Sequence, residues 1–365
     1  MAETENLVAE TAERIFADLA FAQTINHDPQ GGWKAPLWQA LEQAGLPLSW
    51  VPEACGGSGA SLAEGFAVLS AAGRAALAVP LAETMLAGWL LAQANIASPA
   101  GAMTVAPCGP KDRIKDRIED RIEDRIEDRG GRLSGRARGV PFARDSRHIA
   151  ALVHGSQGLS IALVSVSQCR IEPGVNLGGD GHDTVTFDDV VPLALQPVPR
   201  GFDPNALLLM GAVARSLQIA GALEALLDAS VRYANERVAF EKKIAKFQAV
   251  QHNLARLAGE SAAAQAASTS AADAIAHSPS FDDAVFLEAA SAKIRCAEAA
   301  EKGAAIAHQV HGAIGFTIEH ILHRFSLRAL AWRDDFGSES HWAVELGRRV
   351  AARGADELWP LVASR

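Results

Sequence analysis

The chain has only four cysteines in 365 residues, Cys55, Cys108, Cys169 and Cys296. None stands at the paired spacing that would hold zinc or an iron–sulfur cluster, and the wide scatter excludes a disulfide-stapled scaffold. They read as reduced, cytosolic thiols. Long apolar runs are also missing: Met85 to Ala92 and Ala206 to Ala214 are eight and nine residues, too short to cross a bilayer. Where a secretory leader would need a basic and then an apolar run, the N-terminus carries Glu3, Glu5, Glu10 and Glu13. The expectation is a cytoplasmic protein with no membrane partner. Cations are in deficit, 34 against 43 acidic residues for a net charge of -9, so nothing draws the chain as a whole to nucleic acid or anionic lipid. A local basic pocket for one phosphate-bearing molecule stays open. Common catalytic signatures are absent as well: no Walker loop, dinucleotide-fold glycine triplet, nucleophile elbow or zinc helix. His308/His311 and His320/His323 stand at i,i+3, but no carboxylate or cysteine completes a ligand set. They read as helix-surface histidines, and no metal site is expected.

The composition, 49% hydrophobic and 21% charged, is that of a globular chain, and the length suggests two or three packed units. From Leu7 to about Ile96 apolar residues recur at helical spacing, broken by turn-rich segments at 27–32 and 52–59. Short β-like runs follow residue 130: HIAALV (148–153), LSIALVSV (159–166) and DTVTFDDVV (183–191). From Asn205 onward the pattern is long, Ala-rich and helical, with Phe247, Val250, Leu254 and Leu257 forming one stripe. The predicted fold is α+β: an N-terminal helical domain (1–100), a central β-barrel-like domain (101–200) and a C-terminal four-helix bundle (201–365). Within the second lies the repeat KDRIKDRIEDRIEDRIEDR, residues 111–129. A period of four stacks like charges on a helix, and as a strand one face would mix Asp with Ile. It is expected to lie as a solvated arm without chemistry.

Three longer patterns carry a resemblance. Residues 38–66, WQALEQAGLPLSWVPEACGGSGASLAEGF, look like the amino-terminal signature of acyl-CoA dehydrogenases, with W, L, G and VPE before GG-x-G in that order. Residues 237–255, RVAFEKKIAKFQAVQHNLA, are similar to the family's R-x-x-F-G-x-x-I-x-x-F-Q-x-x-Q-H segment, and QVHGAIGFTIE (309–319) to its Q-x-x-G-G-x-G-F segment. The order of helices, β module and helices is also the family's own.

The resemblance implies a flavoprotein that removes the α and β hydrogens of an acyl-CoA thioester, with FAD as cofactor and a second flavoprotein as electron acceptor. It implies that Arg237 meets the pyrophosphate of a neighbouring subunit's FAD, that Phe240 packs on the cofactor, and that Gln248 bonds the diphosphate or ribitol region. Gln309, Gly312 and Ala313 would hold the adenosine side. Glu241 departs from the pattern, standing where the family has glycine. The family's Y-x-L-T-E-P-x-x-G-S-D and W-I-T-N-like flavin cradle is missing too; those regions read MTVAPCGPKD and RLSGRARGVPFA. The catalytic base is displaced as well. Counting from Gln309 and from Arg237 to the family's two base positions gives Phe336 and Gly211, neither a carboxylate. Asp335 is the candidate base, with Asp334 and Glu339 as neighbours that could serve. Two readings follow: an acyl-CoA dehydrogenase active by itself as a homo-tetramer, or a non-catalytic chain that completes the FAD site of another dehydrogenase-like chain in a hetero-tetramer.

Overall fold

The computed structural model describes residues 2–28, 30–109, 125–278 and 280–363. Five helices open the chain: α1 (Ala2–Leu19), α2 (Ala22–His27), α3 (Lys34–Gln43), α4 (Leu62–Arg74) and α5 (Leu81–Gln93). The start of α4 is fixed by a capping box, in which Ser61 Oγ accepts from the Glu64 N–H and the Glu64 carboxylate accepts from the Ser61 N–H. Residues 81–91 of α5 are buried on every side, so this helix is core rather than amphipathic. Thr84 ties it to the next layer, its hydroxyl accepting from the Met103 N–H at 2.9 Å.

The central layer is an eight-stranded sheet: β1 (Met103–Ala106), β2 (Arg125–Asp128), β3 (Leu133–Pro141), β4 (His148–Gly155), β5 (Gly158–Ser165), β6 (Arg170–Glu172), β7 (His182–Val190) and β8 (Ala194–Pro197). Its order is β6-β7-β3-β2-β4-β5-β8, with β1 beside β4; the β1–β4 and β2–β4 ladders are parallel and the others antiparallel. Among the described residues β6 and β8, the short edge strands of the expected barrel-like domain, share no ladder. One expectation is corrected here. The end of the charged repeat is no arm: Arg125–Asp128 is strand β2, wedged between β3 and β4, with Ile126 fully buried. Burying that isoleucine and completing two ladders outweighs the poor local pattern. Residues 110–124 lie outside the described residues.

The C-terminal layer comprises α6 (Ala206–Glu236), the hairpin β9 (Val238–Ala239) and β10 (Lys242–Lys243), α7 (Gln248–His277), α8 (Asp283–His311), α9 (Leu322–Trp332), α10 (Glu339–Arg353) and α11 (Leu358–Ala363). Helix α6 is long and apolar enough to cross a membrane, but its most apolar 18-residue window is 94% buried within the fold, so it acts as the central core helix. Of the expected stripe, Leu257 is fully buried, Val250 and Leu254 are partly covered by the same core, and Phe247 precedes α7 at its N-cap.

Two glycines let α4 and α6 touch backbone to backbone. A Cβ on Gly73 would lie 2.1 Å from the Gln218 carbonyl oxygen, and one on Gly221 would lie 2.2 Å from that of Ser70. Neither neighbour can move without shifting a helix. Gly221→Ala should therefore lower stability by about 1–3 kcal/mol, measured as the shift in urea midpoint; an unchanged midpoint would mean the helices separate freely.

Candidate cofactor and catalytic site

The residues expected to bind the cofactor gather at one end of the bundle for a topological reason. Helix α6 ends at Glu236, α7 starts there after the hairpin and runs away, and α8 returns to finish at His311. Arg237 and Phe240 thus sit in the α6–α7 link, Gln248 opens α7, Gln309 lies in the last turn of α8, and Gly312 and Ala313 begin the 3-10 turn after it. The Tyr233 ring of α6 stacks on His311 of α8 at 4.4 Å, which fixes the two ends side by side. Arg237, Phe240, Gln248, Gln309, Gly312 and Ala313 are all exposed, and Phe240 is 89% exposed. A Cβ on Gly312 would meet nothing within 4 Å, so the backbone there is open to a ligand.

The hairpin that carries Phe240 is strained. Phe240 and Glu241 have φ of 52° and 64°, the left-handed pair of a two-residue turn that normally takes Asn-Gly. Glycine in place of Glu241 would relieve that conformation and remove an exposed anion from the turn.

Asp335 lies elsewhere. Its main partner, Arg215, is 21 residues before the end of α6, about 30 Å along the helix at 1.5 Å per residue. Arg215 is 2% exposed and donates from Nε to Asp335 Oδ2 at 2.9 Å, from Nη1 to Gln218 at 2.6 Å and from Nη2 to Glu83 at 2.5 Å. The other Asp335 oxygen meets His182 Nε2 at 3.1 Å. One buried chain of charges therefore joins α5, α6, the start of β7 and the turn after α9. Burial alone would raise the Asp335 carboxyl, but Arg215 and the His182 bond outweigh it and hold it below the ordinary range. Burial pushes Glu83 up against the opposing pull of Arg215. Lys293, fully enclosed, donates to the Trp332 carbonyl at 2.7 Å, and burial brings its ammonium down to about 7. A carboxylate with both oxygens engaged and a depressed pKa is a poor acceptor for a carbon-bound proton. Asp334 is exposed beside Arg333, and Glu339 sits in the first turn of α10.

The two positions inherited for the base are in contact with each other. A Cβ on Gly211 would lie 2.1 Å from Phe336 Cδ1, and the Phe336 ring is wholly buried, with the Arg215 guanidinium 5.8 Å from its centroid. No side chain fits at residue 211 while that ring is in place. Five surface cavities among the described residues are lined by none of Gly211, Asp335 or Phe336. The cradle region is equally tight: at Gly139, φ 64°, a Cβ would come within 2.7 Å of His182 Cε1.

Residues 204–339 match the acyl-CoA dehydrogenase C-terminal domain. Over nearly its whole length the chain is 29% identical to the acyl-CoA dehydrogenase IpdE2 of Mycobacterium tuberculosis, across 90% of this chain and 88% of that protein. The Mycolicibacterium smegmatis IpdE2 is 26% identical over 90% and 93%. Residues 204–339 thus match an acyl-CoA dehydrogenase domain, and most of the chain is similar to acyl-CoA dehydrogenases. The acyl-CoA dehydrogenase fold is also that of the ChsE4-ChsE5 complex of Mycobacterium tuberculosis, with a TM-score of 0.83, 22% identity and coverage of 97% of this chain and 99% of that one. A steroid ACAD, Tcur3481-Tcur3483, superposes with a TM-score of 0.81 at 24% identity, covering 96% and 98%.

The end of the bundle presents residues whose chemistry fits one half of an FAD site: an exposed guanidinium, an exposed aromatic ring, two exposed amides and an open glycine backbone. Sequence reasoning did not find Arg215, Glu83 or His182, because no motif marks them; an arginine and a glutamate inside otherwise apolar helices were the available signal. One of the four histidines departs from the helix-surface expectation. His311 is 4% exposed and stacked on Tyr233, not on a helix surface.

Removing the central guanidinium leaves two buried carboxylates without a partner. Arg215→Leu should cost about 3–5 kcal/mol, read from chemical denaturation at neutral pH; a loss of under about 1 kcal/mol would mean the network is solvated. Glu241→Gly should gain about 1 kcal/mol by relieving the left-handed turn, visible as a higher midpoint in the same measurement.

Proposed function

We propose that this chain is the FAD-completing, base-lacking subunit of a heteromeric acyl-CoA dehydrogenase acting on an acyl-CoA thioester. The observation that carries the reading is the contact between Gly211 and Phe336, which fills both places where the family keeps its carboxylate, while the cofactor end of the bundle keeps its residues and exposure. When bound, FAD supplies the hydride acceptor. This chain's own residues bind and orient it for a partner: Arg237 meets the pyrophosphate, Phe240 covers an apolar edge, Gln248 and Gln309 donate amide hydrogen bonds, and Gly312 and Ala313 let the main chain approach. Asp335 then holds the interior together through Arg215 and His182 instead of accepting the substrate proton. Two protein-pair neighbours in the fold, ChsE4-ChsE5 and the Tcur3481-Tcur3483 steroid ACAD, support a two-chain assembly. A bulky acyl group would suit that comparison.

The deciding experiment is flavin content and turnover of the chain purified alone and with a second dehydrogenase-like chain. The expected result is little flavin and no acyl-CoA oxidation alone, and both in the pair, with activity surviving Asp335→Asn wherever the fold survives. Turnover by the isolated chain that disappears in Asp335→Asn, with flavin still bound, would restore the homomeric reading. Arg237→Ala should weaken FAD binding in the pair roughly ten- to hundredfold, the range of a charge-assisted hydrogen bond. Unchanged affinity, measured by flavin fluorescence below saturation, would leave Arg237 a structural residue.

A further inference from the structure

The loop after α8 carries Gly312 and Ala313 and then exposes Phe316 and Ile318, 73% and 81% accessible. It rests on rings. His308 stacks under Phe316 at 4.4 Å, His311 lies on Tyr233 at 4.4 Å, and His320 closes against His311 at 4.8 Å and edge-on to Tyr233 at 6.1 Å. The hydrogen bonding leaves the stack with spare capacity. His311 Nδ1 meets the Ala307 carbonyl and His308 Nε2 the Ser326 hydroxyl, while His311 Nε2 and His308 Nδ1 are buried without a partner among the described residues. Four histidines within sixteen positions and no metal-type cluster among the described residues need another account.

We propose that His308, His311 and His320 are positioning residues that hold the FAD-completing loop in place, and that protonation of this platform releases the loop. The inference rests on the cofactor role given to Gly312 and Ala313 above. Among the described residues no acid is paired with these rings. From α6 the facing group is the Tyr233 phenol; from α9 it is the Ser326 hydroxyl and His323; from α8 and the loop come the other histidines and Glu319, which is exposed next to His320 in the chain. Burial, then repulsion from neighbouring histidines, lowers all three below the ordinary value of 6.5. For a base depressed in the folded state, folding favours the neutral ring. The loop is therefore fully held above about pH 6.5 and loses support as the pH falls below it.

The test is hydrogen exchange of the segment 312–321 in the full chain, corrected for the intrinsic pH dependence of exchange, alongside FAD retention by the two-chain assembly. Between about pH 7.5 and pH 5.5 the wild-type loop should lose protection roughly tenfold for each ring that must take a proton. His311→Phe keeps a ring on Tyr233 but cannot be charged, so its loss should be at least roughly threefold smaller. Tyr233→Leu removes the stacking surface and should open the loop already at neutral pH, which keeps the idea testable if the first variant misfolds. Protection independent of pH in wild type, or an equal loss in His311→Phe, overturns the proposal. If the loop opens as expected but the assembly holds no FAD at neutral pH, the platform stands and the cofactor reading fails; if FAD is held and the loop ignores pH, the reverse is true.

Discussion

Arg215 is the group on which the interior depends. A guanidinium at 2% exposure has to satisfy its donors inside the protein, and here the N-terminal helices, α6 itself and the turn after α9 each supply an acceptor: Glu83, Gln218 and Asp335. Asp335 passes the connection on to His182 in the sheet. Three layers that meet mostly through apolar surface are thereby given one relative placement, since any slip would leave a charge buried and unpaired. The same geometry locks the turn that carries Phe336, whose ring fills the space over Gly211.

That lock stands apart from the end of the bundle proposed to face the cofactor. There the surface is exposed and in part strained, as at the Phe240–Glu241 turn. About 30 Å away along α6, where a catalytic carboxylate would be sought, the protein has a closed, charge-balanced interior. The Phe240 ring, 89% exposed on a left-handed turn and meeting Phe247 edge-on at 6.3 Å, adds little to the isolated fold.

The long-range order of the chain was legible because its signals are local and periodic. Helical stripes located α6, α7 and α8, and alternating apolar runs located β4, β5 and β7. The charged repeat misled for the opposite reason. Residues 125–128 have no strand pattern of their own and become β2 only because β3 and β4 offer two ladders and a pocket for Ile126. The histidines at 308–323 likewise read as surface residues until Tyr233, far back in the chain, was seen to cover one of them.

The sequence by itself determined the layer order and the family resemblance, since each depends on residues close together in the chain. It also established that neither inherited base position holds a carboxylate. Only the tertiary structure decided what Asp335 touches. An aspartate near a helix end is compatible with a base or with an ion pair, and the difference lies in Arg215, 120 residues away in sequence. Pairing across such a distance leaves no periodic or motif signal, because it is set by how three layers close around one buried charge.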